Sequence, residues 1–559
     1  MSPPTHSANG VTLDGRRPAS HAAKTFSSRD VLLFLVALRI ANSLSLQTFF
    51  QPDEYFQSLE PAWQMAFGKE SGAWITWEWK HQLRSSIHPA IFASVYYVSS
   101  VLADLFKTSF SIRAEVLLAA PKVTQAVIAA LGDYYTWKLG ERVYGQGSLT
   151  AWATVCSEGN PSLSPIIKNI PFQSAHERDD TGLRIPRVAS AVSGADELTS
   201  FGVCPSPNQH LDLDVCFPST STPGQWPGEV ALLTSPRGLI LALSVLGDRL
   251  YYQVWAFPPL RFLHFNIAQS LSIFYGRNDW HYYLSQGIPL LLTTALPFGV
   301  LGIWRTLHSG HFINLQLAVT ALSVTSILSL ISHKEVRFIY PILPALHILT
   351  AEALVSTVYP SQRNPRSPPR PQAAAPRIAG LWKYILSILL ATNILLALYT
   401  TLIHQSGVLS VLTYLRKEHG SRNTTTTIGF LMPCHSTPWR SHLIHPSIHA
   451  WALTCEPPIN LDPAARATYL DEADVFYADA GSFLHTRFAP PPLLGHKMQG
   501  SPEQRQWPDN IVFFEQLQPV LADILRDSGY VECWRGFNSH WHDDWRREGD
   551  VIVWCLQGF

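Results

Sequence analysis

Apolar runs long enough to cross a membrane recur along the chain up to residue 403. The first run, residues 31–50, contains a single charged residue, Arg39. About 20 residues of helix span the roughly 30 Å hydrocarbon core of a bilayer. Eight further runs follow at residues 87–106, 121–139, 148–156, 230–246, 287–304, 312–332, 338–358 and 380–403, of which 148–156 is the weaker candidate. The pattern therefore predicts nine spans in a polytopic α-helical membrane protein.

Basic segments between these runs predict the orientation of the chain. Residues 1–30 carry four basic residues and no signal-peptide cleavage pattern, so we expect a disordered cytosolic tail. The loop 51–86 then lies in the ER lumen, and the linker 361–377, rich in Pro and Arg and free of acids, lies in the cytosol. Nine spans place the C-terminus in the lumen, on the same side as the glycosylation sequon at Asn423.

The C-terminal part of the sequence, residues 405–559, contains no run of membrane-spanning length. Apolar and aromatic residues alternate at 427–432 and 551–555, which predicts strands, and 514–525 has a helical pattern. We therefore expect a luminal α+β domain at 405–559 behind a multi-span membrane domain at 31–404. In an oxidising lumen, four cysteines can form two disulfides in three pairings: Cys434, Cys455, Cys533 and Cys555.

The segment 157–228 does not fit a membrane domain. It is polar, rich in Pro, Ser and Asp, and has no clear periodicity. A structureless loop of this length is uncommon inside a compact domain. An error in the gene model, such as a retained intron, is favoured over a genuine disordered insertion.

Composition agrees with a mixture of membrane and polar parts. Charged residues make up 15% of the chain, against roughly 25% in a typical soluble domain. Lys+Arg and Asp+Glu both total 41, so the net charge is zero and no basic excess indicates nucleic-acid binding. The mean hydropathy is only +0.06, which is low for a chain made entirely of membrane spans.

An acid pair, Asp53 and Glu54, stands directly after the first apolar run. A low-dielectric site at a membrane surface raises the pKa of a carboxyl group and makes it a usable base. Both residues are also common in the first turn of a helix, so a solvated helix cap is the alternative. We take Asp53 and Glu54 as candidate catalytic residues.

Two cationic motifs lie on the same predicted side of the membrane. One holds His333, Lys334 and Arg337, and the other holds Arg277 and His281. Arg and Lys together bind a phosphate, and the phosphate of a membrane lipid would arrive at this depth. The alternative is a short connector whose charges are solvated.

The loop 51–86 also contains two tryptophans that flank an acid, Trp77, Glu78 and Trp79, followed by Arg84. Aromatic faces pack against the C–H faces of sugars, and carboxylates accept hydroxyl protons. The alternative is an aromatic anchor at the membrane interface.

Histidines follow Cys434 in the C-terminal domain, but their spacing matches no closed zinc pattern. A cluster of histidines at a strand edge or a disulfide at Cys434 is favoured, and no metal site is predicted.

Taken together, the motifs at 50–60, 76–79, 83–85, 275–283 and 333–341 resemble glycosyltransferase family 22. That family contains ER mannosyltransferases of the GT-C superfamily, which use dolichyl-phosphate mannose. Within it, residues 248–252, 430–438 and 537–550 are most similar to members that build glycosylphosphatidylinositol (GPI) anchors. The resemblance covers roughly residues 30–155 and 237–559, and the segment 157–228 departs from it.

The resemblance implies a GT-C fold and inverting transfer of mannose from dolichyl-phosphate mannose to the second mannose of a GPI-anchor precursor. The product would be the third mannose, joined by an α-1,2 bond. We expect Asp53 to act as the base, with Glu54 orienting the acceptor or sharing the proton. The implied partners are the lipid-linked donor, the anchor lipid and ER membrane lipids, with no cofactor or metal.

Three other interpretations stay open at this point. A mannosyltransferase of the N-glycan pathway shares the first-loop acids and the 333–337 motif. A transporter would place its charges at mid-membrane rather than at the ends of spans. An inactive membrane scaffold is the third.

Overall fold

The computed structural model describes most of the chain. The described residues are 27–49, 51–158, 236–268, 274, 276–309, 311–358, 375–420, 424–459, 461–466, 468–493, 498, 500–542 and 544–557. The tail 1–26, nearly all of the segment 157–228, most of the linker 361–377 and the sequon residue Asn423 lie outside them.

The N-terminal part is helical, and local sequence explains where its first helix begins. Ser27 accepts a hydrogen bond from the Asp30 N–H at 3.2 Å, while Asp30 accepts one from the Ser27 N–H, which is a capping box. The helices of this part are Ser28–Ser45, Pro52–Glu54, Glu60–Phe67, Trp77–Lys80, Ile87–Leu105, Phe110–Tyr144 and Leu149–Glu158.

A buried ion pair joins the first helix to the long helix Phe110–Tyr144. Arg39 is 5% exposed and its Nε donates to Asp133 Oδ2 at 2.5 Å. A charge in an apolar run is costly unless it is paired. The pair therefore explains how the first run accommodates its single charge.

Helices continue after the polar segment. They are Pro236–Tyr252, Pro258–Leu263, His264–Ala268, Tyr283–Gly287, Ile288–Leu292, Thr293–Ala295, Leu296–Ser309, Phe312–Ser329, Val336–Ile342, Leu343–Val358, Ala375–Leu402 and Gly407–Gly420.

Within the described ranges, five helical stretches are long and apolar enough to cross a membrane. They are Phe110–Tyr144, Tyr283–His308, Phe312–Ser329, Val336–Val358 and Tyr384–Gly420. Length and composition alone select these five, so the count of nine spans stays a prediction.

The C-terminal part forms a mixed five-stranded sheet. Its strands are β1 Thr426–Leu431, β2 Ile448–Ala452, β3 Asn510–Phe514, β4 Tyr530–Gly536 and β5 Val551–Leu556. The order is β2-β1-β3-β5-β4, with β1 parallel to β2 and β3, and β5 antiparallel to β3 and β4. Helices and short turns around the sheet are Arg440–Leu443, Pro463–Arg466, Glu472–Ala478, Ala480–Arg487, Glu515–Leu517, Gln518–Ile524 and Trp545–Arg547.

Alternation along the strands buries both faces of the sheet. Phe430 on one face packs in a cluster with the helix Gly407–Gly420 and with Phe56 of the first loop. Its neighbour Leu431 packs on the other face with the helices Glu472–Ala478 and Ala480–Arg487. One face of the sheet therefore packs against the loop that carries the acid pair.

Two disulfides stabilise this part, Cys434–Cys455 and Cys533–Cys555. The first joins the turn after β1 to the segment after β2, and the second joins the adjacent strands β4 and β5. The structure thereby selects one of the three pairings that the sequence allowed.

Candidate active site

Asp53 and Arg337 form an ion pair between two distant parts of the chain. Asp53 lies in the short helix Pro52–Glu54, which begins at a proline because the first position of a helix needs no N–H. Arg337 lies in the 3-10 helix Val336–Ile342. The Arg337 side chain is 8% exposed and the Asp53 side chain 31% exposed, so a buried cation stands beside an accessible carboxylate.

Glu335 is the centre of the same cluster. Arg337 Nη2 donates to Glu335 Oε1 at 2.7 Å, and His333 Nε2 lies 3.0 Å from the same oxygen. Burial raises the pKa of Glu335, but the charge of Arg337 and the hydrogen bonds from His333 and Arg337 outweigh it and lower that pKa well below its usual range. Glu335 is therefore ionised, and it holds the two cationic side chains in place.

His333 has acceptors at both ring nitrogens. Its Nδ1 lies 3.0 Å from the Gly276 carbonyl oxygen, opposite the contact with Glu335. Burial disfavours the charged ring, yet the hydrogen bonds to Glu335 and Gly276 raise the pKa of His333 overall. The geometry therefore favours an imidazolium, which donates from both nitrogens.

Lys334 and Asn278 fasten the second cationic motif to the first. Lys334 is 3% exposed, and its Nζ donates to the Asn278 carbonyl oxygen at 2.9 Å. Asn278 Nδ2 donates to the Lys334 carbonyl oxygen at 2.7 Å. Arg277 lies exposed on this joined loop. His281 is also exposed and contacts Ser285 and Asp279 of its own segment, at 3.0 and 3.7 Å.

Glu54 lines a separate pocket that Asp53 does not line. Burial raises the pKa of Glu54 to about 8, although the positive charge of Lys122 opposes the shift. Other polar side chains of the pocket are Ser58, His88, Gln125 and His442. The two adjacent acids therefore lie in different environments. Asp53 is paired with Arg337, whereas the surroundings of Glu54 favour its neutral form.

The predicted sugar-binding residues lie in another region of the first loop. Trp77 stacks on Phe265 with ring centroids 5.0 Å apart, and Trp79, 2% exposed, packs edge-on against Tyr251 at 5.6 Å. Arg84 lies over the ring of Phe262 at 5.2 Å. Glu78, which stands between the two tryptophans in the sequence, is partly buried.

Asp248 anchors the end of this loop. One of its oxygens accepts from the Ser86 N–H at 2.6 Å, the Ser86 hydroxyl at 2.8 Å and the Ser85 hydroxyl at 3.0 Å. Tyr252, one helical turn on, donates its hydroxyl hydrogen to the Arg84 carbonyl oxygen at 2.6 Å. Asp248 thus holds the loop at the start of the helix Ile87–Leu105.

Sequence reasoning gave no role to Glu335, Asn278 or Lys122. For Lys122 a signal was present, because an ionisable residue inside an apolar run is a functional-site candidate. For Glu335 the signal was an acidic residue between the cationic residues His333 and Arg337 in the sequence. Asn278 acts through backbone hydrogen bonds, for which the sequence carries no signal.

Cys434, His435 and Cys455 offer ligand atoms within 4.8 Å of one another. Two of these atoms are the sulfurs of the Cys434–Cys455 disulfide, which leaves no thiolate to bind a metal. The group is a disulfide beside a histidine, in agreement with the disulfide that was one of the two expectations for Cys434.

These features define a class of protein. The chain is a polytopic helical membrane protein, and Asp53 of its first loop meets Arg337, which lies in a cationic motif with His333 and the buried Lys334. Carboxylate bases and fixed cations serve transfer reactions in which a phosphate departs.

Comparison with known proteins gives the family. The chain belongs to the Alg9-like mannosyltransferase family, whose family model matches residues 30–161 and 227–444. It is therefore a glycosyltransferase, which confirms the resemblance found in the sequence, and the expected helical membrane part with a C-terminal α+β part is also confirmed.

The curated relatives are similar over most of their length. GPI mannosyltransferase 3 of Emericella nidulans is 46% identical over 565 residues, which cover 95% of this chain and 78% of the relative. GPI mannosyltransferase 3 of Aspergillus fumigatus is 43% identical over 97% of this chain and 80% of the relative. Mannosyltransferase APTG1 of Arabidopsis thaliana is 30% identical over 98% and 96%.

Among solved structures, ArnT from Cupriavidus metallidurans bound to undecaprenyl phosphate shows a distant likeness. Its TM-score is 0.43 at 13% sequence identity, over 95% of this chain and 98% of that chain.

Proposed function

We propose that the protein transfers mannose from dolichyl-phosphate mannose to the second mannose of a GPI-anchor precursor, forming an α-1,2 bond. The observation that supports this function is the cluster of Asp53, Arg337, Glu335 and His333 in a chain that is 46% identical to GPI mannosyltransferase 3 of Emericella nidulans. The product is the third mannose of the anchor.

The reaction is an inverting displacement at the anomeric carbon. The acceptor hydroxyl oxygen forms the new bond, while the bond from the anomeric carbon to the phosphate oxygen breaks and its electrons leave with dolichyl phosphate. Asp53 takes the hydroxyl proton, and a positioned base contributes about 10²–10⁴-fold. Glu54 lies in a separate pocket that favours its neutral form, so its proposed role is to orient the acceptor rather than to share that proton.

The leaving phosphate meets the cationic cluster. In the resting site Arg337 pairs with Asp53 and Glu335, and His333 pairs with Glu335. Arg337, His333 and Lys334 offset the charge that develops on the phosphate, and Arg277 and His281 are further candidates for donor contact. This charge compensation lets the transfer proceed without a cofactor or metal.

The acceptor lies beside residues 77–84 of the first loop. Trp77 and Trp79 pack against Phe265 and Tyr251, so their role is to hold Glu78 and Arg84 at the acceptor. This assignment is supported by the anchoring of Arg84 through its carbonyl oxygen.

The proposed orientation follows from the same function. The first loop and the C-terminal domain lie in the ER lumen, the N-terminus lies in the cytosol, and Asn423 carries a glycan.

Complementation of cells that lack the third anchor mannose tests the proposal. The full chain should convert the accumulated two-mannose lipid to the three-mannose lipid. Accumulation of the two-mannose lipid despite expression equal to that of a functional relative would contradict it. Elongation of N-glycan precursors instead would identify an N-glycan mannosyltransferase.

A further inference from the structure

The C-terminal domain contacts the helical segment that carries the acid pair. That segment runs without a break from Pro52 to Phe67, through Pro52–Glu54, a π-helical turn at Tyr55–Leu59 and the helix Glu60–Phe67. Because the run is one helical body, a constraint at Glu60 is transmitted to Asp53 two turns earlier. π-helical turns of this kind occur frequently at functional sites.

Glu60 makes the first contact. It is fully buried, with no exposed surface. Its Oε1 accepts from the Ser441 N–H at 2.8 Å, and its Oε2 accepts from the Trp74 N–H at 3.0 Å. The side chain of Glu60 therefore joins its own helix to Trp74, later in the first loop, and to the helix Arg440–Leu443 of the C-terminal domain.

Arg440 makes the reciprocal contact from the domain side. Its Nε donates to the Ser71 carbonyl oxygen at 2.7 Å, and its Nη1 donates to the Ile448 carbonyl oxygen at 2.8 Å. At Gly72, which has a φ of +76°, an added Cβ would lie 3.4 Å from Arg440 Nε. A left-handed turn thus brings the loop backbone against the guanidinium group.

Aromatic rings close the same interface. His435 packs on Phe56 with ring centroids 4.0 Å apart and on Trp74 at 5.0 Å. Trp439 packs edge-on against Trp74 at 5.1 Å. His435 directly follows Cys434, so the Cys434–Cys455 disulfide constrains the ring that covers Phe56.

We propose that the C-terminal domain is a positioning element for catalysis, and that Glu60 is the positioning residue through which it holds the Asp53-bearing helix opposite Arg337. The proposal rests on the proposed function, in that Asp53 and Arg337 carry the transfer. The motif at residues 430–438, which has no part in the reaction scheme, then contributes to positioning through His435, which packs on Phe56 of that segment.

The variant Glu60→Gln tests this role because it keeps the side-chain volume but replaces one acceptor by an NH2 group that opposes a backbone N–H. We expect kcat to fall roughly 100-fold with little change in the KM for donor or acceptor, as misplacement of a base by about 1 Å produces. Glu472→Gln is the matched control. Glu472 accepts from the Thr454 N–H at 2.9 Å and pairs with Arg505 at 2.6 Å, entirely within the C-terminal domain.

Trypsin cleavage after Lys69 gives a readout that does not depend on the acceptor. Lys69 is exposed in the short turn Lys69–Ser71 beside the Glu60 and Arg440 contacts. In the purified full chain, Glu60→Gln and Arg440→Ala should both speed this cleavage, whereas Glu472→Gln should not. If Glu60→Gln keeps the wild-type kcat, the proposal is wrong. It is also wrong if Glu60→Gln and Glu472→Gln lose kcat and folded protein to the same extent.

The two disulfides supply a second comparison. The pair Cys434→Ser with Cys455→Ser should lower kcat and speed cleavage after Lys69, because it releases His435. The pair Cys533→Ser with Cys555→Ser lies on β4 and β5 and should do neither at equal yield of folded protein. Identical behaviour of the two pairs would contradict the positioning role.

Failure of the proposed function has a different signature. A wild-type chain that does not extend the two-mannose lipid would refute that function, yet the cleavage pattern at Lys69 would still report the Glu60 contact. Unchanged cleavage in Glu60→Gln would refute the positioning role even if the wild-type chain extends the lipid.

Discussion

The carboxylate of Asp53 forms an ion pair with the guanidinium group of Arg337, and the same guanidinium group donates to Glu335 at 2.7 Å. One arginine therefore joins the candidate base of the first loop to the cationic motif between two later helices. A phosphate bound at Arg337 would lie next to the base that activates the acceptor. Displacement chemistry requires this proximity, because the nucleophile and the leaving group flank one carbon atom.

Replacement of the candidate base should abolish transfer. Asp53→Asn keeps the shape of the side chain but cannot accept the acceptor proton, so we expect kcat to fall at least about 100-fold. Transfer of mannose in microsomes measures the effect. Asp523→Asn, on an exposed pair with Arg526 in the C-terminal domain, is the control. Near-normal transfer by Asp53→Asn would exclude Asp53 as the base.

Arginine at position 337 should not be replaceable by lysine. Arg337→Lys keeps the charge but loses the planar fork that reaches Asp53 and Glu335 together. We expect kcat to fall roughly 100-fold, as for loss of one fixed donor to a developing negative charge. Arg535→Lys, on a solvent-accessible pair with Glu515, should stay active. Full activity of Arg337→Lys would show that point charge alone suffices.

Stability should depend on pH through Glu54. Its pKa is raised from the ordinary 4.5 to about 8, so the folded state binds a proton more tightly than the unfolded state. The contribution of the protonated Glu54 to the free energy of unfolding is complete below pH 4.5. It is lost as the pH rises toward 8, with a slope of at most about 1.4 kcal/mol per pH unit. The Tm of Glu54→Gln in detergent should therefore fall less between pH 5 and pH 8. Parallel profiles for the two proteins would contradict the protonated carboxyl.

Asp248 should contribute to stability through three hydrogen bonds. Asp248→Ala leaves the Ser86 N–H and the two serine hydroxyls without this acceptor, which costs about 1–3 kcal/mol for a buried donor. Thermal unfolding in detergent measures the loss. Asp104→Asn, on an exposed pair with Arg113, should change the Tm little because surface pairs contribute about 0–1 kcal/mol. Equal shifts in the two variants would argue against the anchoring role.

The proposed topology predicts a glycan on Asn423. Endoglycosidase should increase the electrophoretic mobility of the wild-type chain and leave Asn423→Gln unchanged. A wild-type chain that is not glycosylated, beside a luminal reporter that is, would count against a luminal C-terminal domain.

Much of the architecture could be predicted from the sequence. Apolar runs predicted helices, and alternation at 427–432 and 551–555 predicted strands that form as β1 and β5. The first-loop acids and the 333–337 motif could be identified because charges stand out beside apolar runs. These signals are local, since each depends on a few neighbouring residues and the period of one element.

The arrangement of the site required the tertiary structure. The sequence by itself determined which residues could act as base or phosphate ligand, because chemistry belongs to the side chain. The folded chain decided that Arg337 pairs with Asp53, that Glu54 lies in a separate pocket with Lys122, and that Glu60 joins the first loop to Ser441. Each of these relationships connects segments far apart in the chain. Packing and burial decide them, and no local pattern encodes them.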